Sequence, residues 1–254
     1  MMQSSQWRYL TALTADRPGS NGEVCALQAE IRAEVVADYF ATLNYHLPQL
    51  REPGTSVPRV FLTRLPSNLE QQPGVGHRKR LFLRSVLPLV LLEQERLRLL
   101  RENLMDLRAA EARGDSLPEE TQAWLLETFA LYNAKADDWE TLLRRVDAVP
   151  VSIALAQAAM ESGWGLSRFA QQGNSLFGQW TWKRRQSGLV PEEREEGERH
   201  RVRAFETLGD SVRSYMHNLN SHWAYKELRE QRARLRMAND PLDGLAMVAG
   251  LRNY

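Results

Sequence analysis

Apolar positions recur at intervals of three and four along most of the chain, the spacing that lines one face of a helix. Val24, Leu27, Ile31, Val35 and Tyr39 predict a helix over about Gly22 to Leu47. A stretch rich in Pro, Gly and Ser runs from Pro48 to Pro58, followed by a short apolar piece at Val60–Leu65 and a polar loop to Gly76. A long helix is expected over about Arg78 to Arg113, bent or split near Pro88, because proline removes a helical hydrogen bond. Ser116 and Glu119 stand at capping-box spacing, and Pro118 suits a first turn. They predict another helix from Glu119 to Val146, with Leu125, Phe129, Tyr132, Ala136 and Trp139 on one side.

Pro150 opens a helix over about Val151 to Glu161, which Gly163 and Gly165 end. A shorter helix is expected at Ser167–Gln172. Between Lys183 and Phe205 the helical period disappears, and Gly188, Pro191 and Gly197 punctuate a small β-hairpin-like lobe. Asp210 is expected to cap a helix holding Val212, Tyr215, Met216 and Leu219, and Asp240-Pro241 to start the last one. Tyr254 ends the chain inside a helical pattern. The chain reads as mainly α. An N-terminal helical region, 1–148, packs on a second domain, 149–254, that carries the lobe.

Composition narrows the class. The 254 residues include 33 Lys+Arg and 32 Asp+Glu, a net charge of +1, which gives no bulk attraction to nucleic acid. The hydrophobic share of 43% is that of an ordinary globular chain, so collagen-like and multi-span membrane classes fall away. The most apolar run, Leu81–Leu92, is about half the ~20 residues a membrane helix needs, and Arg84 and Pro88 interrupt it. Met1 to Leu13 lacks a basic-then-apolar leader pattern. The single cysteine, Cys25, excludes an intramolecular disulfide and reads as a small buried apolar residue. His200, His217 and His222 do not have the spacing of a metal motif, and no phosphate-binding or dinucleotide fingerprint occurs. No cofactor is expected.

Glu161 is the most informative position. In Glu161-Ser162-Gly163-Trp164-Gly165 it stands where a helix ends, facing the negative end of the dipole. A nearby indole would exclude water. Both effects raise a carboxyl pKa, as a general acid near neutral pH requires. The alternative is a solvated glutamate at a frayed helix end. Behind it lie Ala154, Ala156, Ala158 and Ala159, which either admit a close neighbouring helix or reflect the helix propensity of alanine. Three indoles, Trp164, Trp180 and Trp182, fall nearby in sequence. Their faces suit either sugar rings or core packing. Glycosidases commonly flank the scissile bond with two carboxylates. The lobe offers Glu192, Glu193, Glu195, Glu196 and Glu198, which read equally as a solvated charged loop.

The run Ala156-Gln157-Ala158-Ala159-Met160-Glu161-Ser162-Gly163-Trp164-Gly165, with Ser167-Arg168 and Asn174-Ser175-Leu176-Phe177-Gly178, resembles the bacterial glucosaminidases of glycoside hydrolase family seventy-three. That group includes the flagellar-rod muramidase and many autolysins. Within it, Val57-Pro58-Arg59-Val60-Phe61-Leu62, Arg78-Lys79, Leu87–Leu91, Phe205, Ser211–Tyr215 and Asn218–Asn220 are similar to the Bax-type group of Gram-negative bacteria. The resemblance implies a lysozyme-like helical fold and a periplasmic or cell-envelope location. It implies cleavage of peptidoglycan, or another N-acetylglucosamine-containing glycan, after N-acetylglucosamine. Glu161 stands at the position of the family's acid. Trp164, Asn174, Phe177, Gly178, Trp180, Trp182 and Tyr254 are the expected substrate contacts, Tyr254 matching a tyrosine in the family's C-terminal Tyr-Ala-Thr-Asp-Pro-like segment. The family's second carboxylate follows a threonine in the lobe. No Thr-x-Glu occurs between Lys183 and Phe205, and Glu192 or Glu193 falls nearest to that family position, judged by distance to Phe205. The usual double asparagine is here Asn174-Ser175. A lytic transglycosylase and a non-catalytic peptidoglycan-binding or scaffold protein are the rival readings. A transglycosylase usually carries Gly-Leu-Met-Gln where this chain has Leu176-Phe177-Gly178.

Overall fold

The computed structural model describes residues 31–52, 54–183, 185–192 and 199–251. The first helical expectation therefore falls partly outside the described residues, as do Cys25, Glu193 and Tyr254. Its visible part, α1 (Ala33–Thr42), stops short of Leu47, and a 3-10 turn follows at Leu47–Arg51.

The spine of the molecule is α2 (Val75–Ala112). Its buried positions Leu81, Phe82, Val86, Leu89, Val90, Leu97, Leu100, Leu104 and Leu107 recur every three or four residues, so one face meets protein along its whole length. The helix is not split at Pro88. Proline leaves the carbonyl one turn earlier without its N–H, but Pro88 itself is buried and its flanks are held on both sides. Three apolar clusters share α2. Leu81 joins α1 through Phe40, Tyr45 and Leu69. The middle, from Phe82 to Leu97, forms the main core, and Leu100 and Leu104 pack on the next two helices.

Those two helices are one in the sequence expectation and two in the structure. α3 (Glu119–Leu131) ends before Asn133, and α4 (Trp139–Arg145) begins after Asp137. Asn133 and Asp137 adopt φ of +56° and +64°, a left-handed conformation that breaks a helix. The Asp138 carboxylate then caps the Thr141 N–H. The Ser116/Glu119 capping box is not formed, because Pro118 occupies the N-cap and no side chain caps α3.

The main core joins α2 to α5 (Val151–Glu161) and α7 (Leu208–Ser221). Between these two helices come α6 (Arg168–Gly173) and a three-stranded antiparallel sheet. Its strands are β1 (Trp180–Thr181), β2 (Gly188–Leu189) and β3 (Arg201–Arg203), in the order β1-β3-β2. Trp180 pairs with Val202 and Leu189 with Val202 across the two ladders. The lobe thus begins at Trp180 rather than Lys183, and its last strand is the central one. At the start of α7 the cap is Thr207, and Asp210 stands three residues inside, returning the bond in a full capping box. α8 (Lys226–Met237) and α9 (Gly244–Met247) follow, then a 3-10 turn at Val248–Leu251, with α9 capped by Asp243 rather than started at Asp240-Pro241. The result is a mainly helical, lysozyme-like fold with a small β lobe.

One buried ionic knot ties these elements together. Arg232 of α8 is 1% exposed and donates to the carbonyls of Arg144 (2.8 Å) and Ala148 (2.8 Å) and to Asn220 Oδ1 (2.7 Å). Asp147 accepts from Arg236 at 2.8 Å, and Arg232 Nε lies 3.7 Å from its carboxylate. Burial opposes ionisation of Asp147. The Arg236 hydrogen bond and the charges of Arg232 and Arg101 outweigh it, and hold the carboxyl below its usual range. Burial lowers Arg232 to about 10.

Candidate active site

The site begins where α5 runs out of hydrogen bonds. Ala154, Ala158 and Ala159 are buried against the main core, where α2 and α5 cross. Glu161 is the helix's last residue. The following turn is tied tightly to the helix end. Ser162 is fully buried; its Oγ donates to the Ala158 carbonyl (2.5 Å) and accepts from the Gly165 N–H (2.8 Å). The Trp164 N–H donates to the Ala159 carbonyl at 2.7 Å. Gly163, Trp164 and Gly165 take φ of +58°, +60° and +79° in succession. Glycine meets that demand freely, whereas Trp164 is strained. A Cβ on Gly165 would lie 2.8 Å from both Leu65 and Phe82, so the turn needs a residue without one to press against α2.

The Glu161 side chain is open to solvent, yet protein surrounds enough of it that partial burial raises its pKa. Gly178 closes one side: a Cβ there would stand 3.4 Å from Glu161 Oε2. Tyr225, just after α7, is near enough to respond to the Glu161 charge. Its phenol is raised chiefly by burial, is hydrogen-bonded with Asn218, and feels the negative charge of Glu161. Sequence reasoning missed Tyr225. Its signal, an aromatic in Trp223-Ala224-Tyr225, is no different from core packing, and its ring is indeed only 6% exposed.

The other expected contacts divide by location. Trp164 packs on α2: its ring meets Phe82 edge-on at 6.1 Å, with Lys79 Nζ 4.3 Å from the ring centroid. Phe177 is buried and stacked on Tyr215 at 3.9 Å, and Tyr215 in turn donates to Gln157 of α5. Asn174 is buried at φ +51°, ends α6, and donates to the carbonyls of Phe205 (3.1 Å) and Glu206 (2.9 Å). These residues hold the 174–178 segment in place, and so place Gly178 beside Glu161. Trp180 and Trp182 are different. Both are exposed on the lobe and stacked together at 6.3 Å, with His200 4.1 Å from Trp180. Glu192 is exposed and paired with Arg168 Nε at 3.2 Å. Among the described residues, no three His, Cys, Asp or Glu side chains gather as a metal site, and no helix is long and apolar enough to cross a membrane.

Comparison with known proteins gives the family. A family model described as glucosaminidase, mannosyl-glycoprotein endo-beta-N-acetylglucosaminidase, matches residues 136–244. Protein bax of Escherichia coli (strain K12) is 33% identical over 193 residues, 74% of this chain and 67% of that protein. The chain belongs to the Bax-type glucosaminidase family. No solved structure matches it. The glucosaminidase segment contains Glu161, Gly178, the exposed Trp180–Trp182 pair and Tyr225. The likeness to Protein bax is longer than that segment, so the family relationship extends beyond the glucosaminidase match. Phe82 of α2 and Leu65 of the loop before it form the wall against which Gly165 sets the exit of the Glu161 helix.

Proposed function

We propose that this protein is a peptidoglycan hydrolase of the bacterial periplasm or cell envelope. It cleaves the β-1,4 bond after N-acetylglucosamine, as an endo-β-N-acetylglucosaminidase, with Glu161 as the general acid. The observation that carries the reading is a partly buried carboxyl of raised pKa at the end of α5, beside Gly178 and Tyr225, in a chain of the glucosaminidase family. A raised pKa keeps the proton available near neutral pH for the leaving glycosidic oxygen. The exposed Trp180 and Trp182 faces offer a platform for the C–H faces of a sugar.

Two routes complete the reaction. In one, Glu192 or Glu193 activates water for an inverting attack. In the other, the acetamido oxygen of the substrate attacks C1 as Glu161 protonates the leaving oxygen, and water then opens the cyclic intermediate. The lack of a Thr-x-Glu between Lys183 and Phe205 supports the second route.

The test is digestion of purified sacculi, with products read by mass spectrometry. Wild type is expected to release fragments with reducing N-acetylglucosamine ends, and Glu161→Gln to lose ~10²–10⁴-fold in rate, the usual contribution of a positioned acid. Anhydro ends would make the protein a lytic transglycosylase. Binding to sacculi without any release would make it a scaffold. Equal rates for wild type and a folded Glu161→Gln variant would remove Glu161 from the chemistry.

A further inference from the structure

The turn that joins α7 to α8 displays an indole. Trp223 is 77% exposed, against 53% for Trp180 and 68% for Trp182 on the lobe. It opens a 3-10 turn, Trp223–Tyr225, whose backbone is held by its neighbours. His222 Nδ1 accepts from the Ala224 N–H at 3.3 Å. Arg229, itself buried, donates to the carbonyls of Leu219 and His222, each at 2.8 Å. Tyr225, at the other end of the turn, is buried. A large aromatic ring shown to water gains from being covered, and a turn already fixed loses little freedom when a ligand covers it.

Trp223 does not stand alone. With Ala224 and five polar side chains of α8, Lys226, Glu227, Glu230, Gln231 and Arg234, it lines a recess of about 470 Å³, within the range of small-ligand sites. The charges in this lining balance, two cations against two carboxylates, and Lys226 lies 3.6 Å from Glu230. Such a lining has no net attraction for an ion of either sign. It offers hydrogen-bond donors and acceptors side by side around one aromatic face. A neutral sugar ring is the complement of that pattern, with C–H groups on its face and hydroxyl and acetamido groups around its rim. A row of rings also joins the recess to the proposed reaction centre. The His222 ring lies 5.5 Å from Trp223 and 6.1 Å from Tyr225, and Tyr225 feels the charge of Glu161.

We propose that this recess is a sugar subsite away from the bond that is cut. One unit of a neutral glycan chain stacks its C–H face on Trp223, and the polar side chains of α8 bind its hydroxyl and acetamido groups. The inference rests on the proposed glycan substrate and adds where a longer chain is held. A glycan held at Trp223 as well as beside Glu161 must span both places, so long chains bind better than short ones.

Titration calorimetry on the full chain carrying Glu161→Gln, which keeps the ligands intact, reads this preference. The probes are N-acetylglucosamine oligomers from the dimer to the hexamer. The hexamer is expected to bind about tenfold or more tightly than the dimer, the gain that one well-stacked ring can supply. Adding Trp223→Ala, at a position too exposed to disturb the core, is expected to remove most of that gain and to leave the affinity for the dimer within about twofold. Trp223→Phe keeps a ring face and is expected to recover part of the gain. Equal affinities across the series, no binding of the hexamer, or a Trp223→Ala protein that keeps the full advantage of the hexamer would each overturn the proposal. Digestion of sacculi is a separate readout. A chain that shows the Trp223-dependent gain but releases no fragments loses the enzymatic reading and keeps the subsite. One that digests sacculi without such a gain keeps the enzyme and loses the subsite.

Discussion

A proton donor for glycoside cleavage must keep its proton at the pH of the reaction and still reach solvent-borne substrate. Glu161, the acid we propose, meets these demands by standing at the end of α5 with its side chain open to solvent. Its pKa is raised by partial burial, so folding favours the protonated form. The carboxyl therefore contributes stability that is fully present below the unfolded pKa and is lost as pH rises through the folded value. Glu161→Gln removes that dependence. The expected outcome is a variant with almost no turnover and a melting temperature equal to or above wild type at pH 7–8, checked by thermal melts at several pH values. In the wild type, the rate is expected to fall on the alkaline side as the acid ionises, and that limb disappears with the variant. The position of Glu161 was readable from Glu-Ser-Gly-Trp-Gly, because glycines announce a helix end locally. The contacts of Tyr225 and Trp164 were not, because each depends on a residue distant in sequence.

At the scale of elements, backbone conformation decides what the site residues do. α5 matches its sequence expectation residue for residue, since Pro150 starts it and Gly163 stops it. The break between α3 and α4 was hidden because asparagine and aspartate, not glycine, adopt the left-handed conformation there. α2 continues through Pro88 because packing on three clusters outweighs one missing hydrogen bond. Gly165 and Asn174 carry testable consequences of this kind. Gly165→Ala forces a methyl to within 2.8 Å of Leu65 and Phe82 at a φ of +79°, and is expected to destabilise by about 1–3 kcal/mol. It should also lower turnover by shifting the end of α5. Asn174→Ala loses two hydrogen bonds to the 205–206 backbone and a residue type that tolerates φ > 0. A destabilisation of about 1–3 kcal/mol is expected, whereas Asn174→Gly recovers only the conformational part. Urea denaturation of the three variants separates these contributions.

For the molecule as a whole, residues from both sides of position 148 share one core. The glucosaminidase segment supplies α5 and α7, but the helix filling the space between them is α2, and the loop before α2 gives Leu65 to the same core. A fragment covering 149–254 would expose that face, so it is expected to lack a cooperative melt, while the full chain melts in one transition. The Asp147 knot makes the same argument in electrostatic form, because it joins the end of α4 to α2, α7 and α8. Its carboxyl is held below the ordinary range, so its contribution is present above the unfolded pKa and lost as pH falls through the folded one. Removing one partner of a buried ion pair leaves the other uncompensated, at about 3–5 kcal/mol. Asp147→Asn should therefore destabilise the full chain by that order at neutral pH, and the gap to wild type should narrow on acidification, as the wild-type carboxyl takes up its proton. Chemical denaturation at pH 7 and at progressively lower pH reads both effects. A constant gap across that range would mean that Asp147 acts through its hydrogen bonds alone, and that its charge is not what joins the N-terminal helices to the glucosaminidase segment.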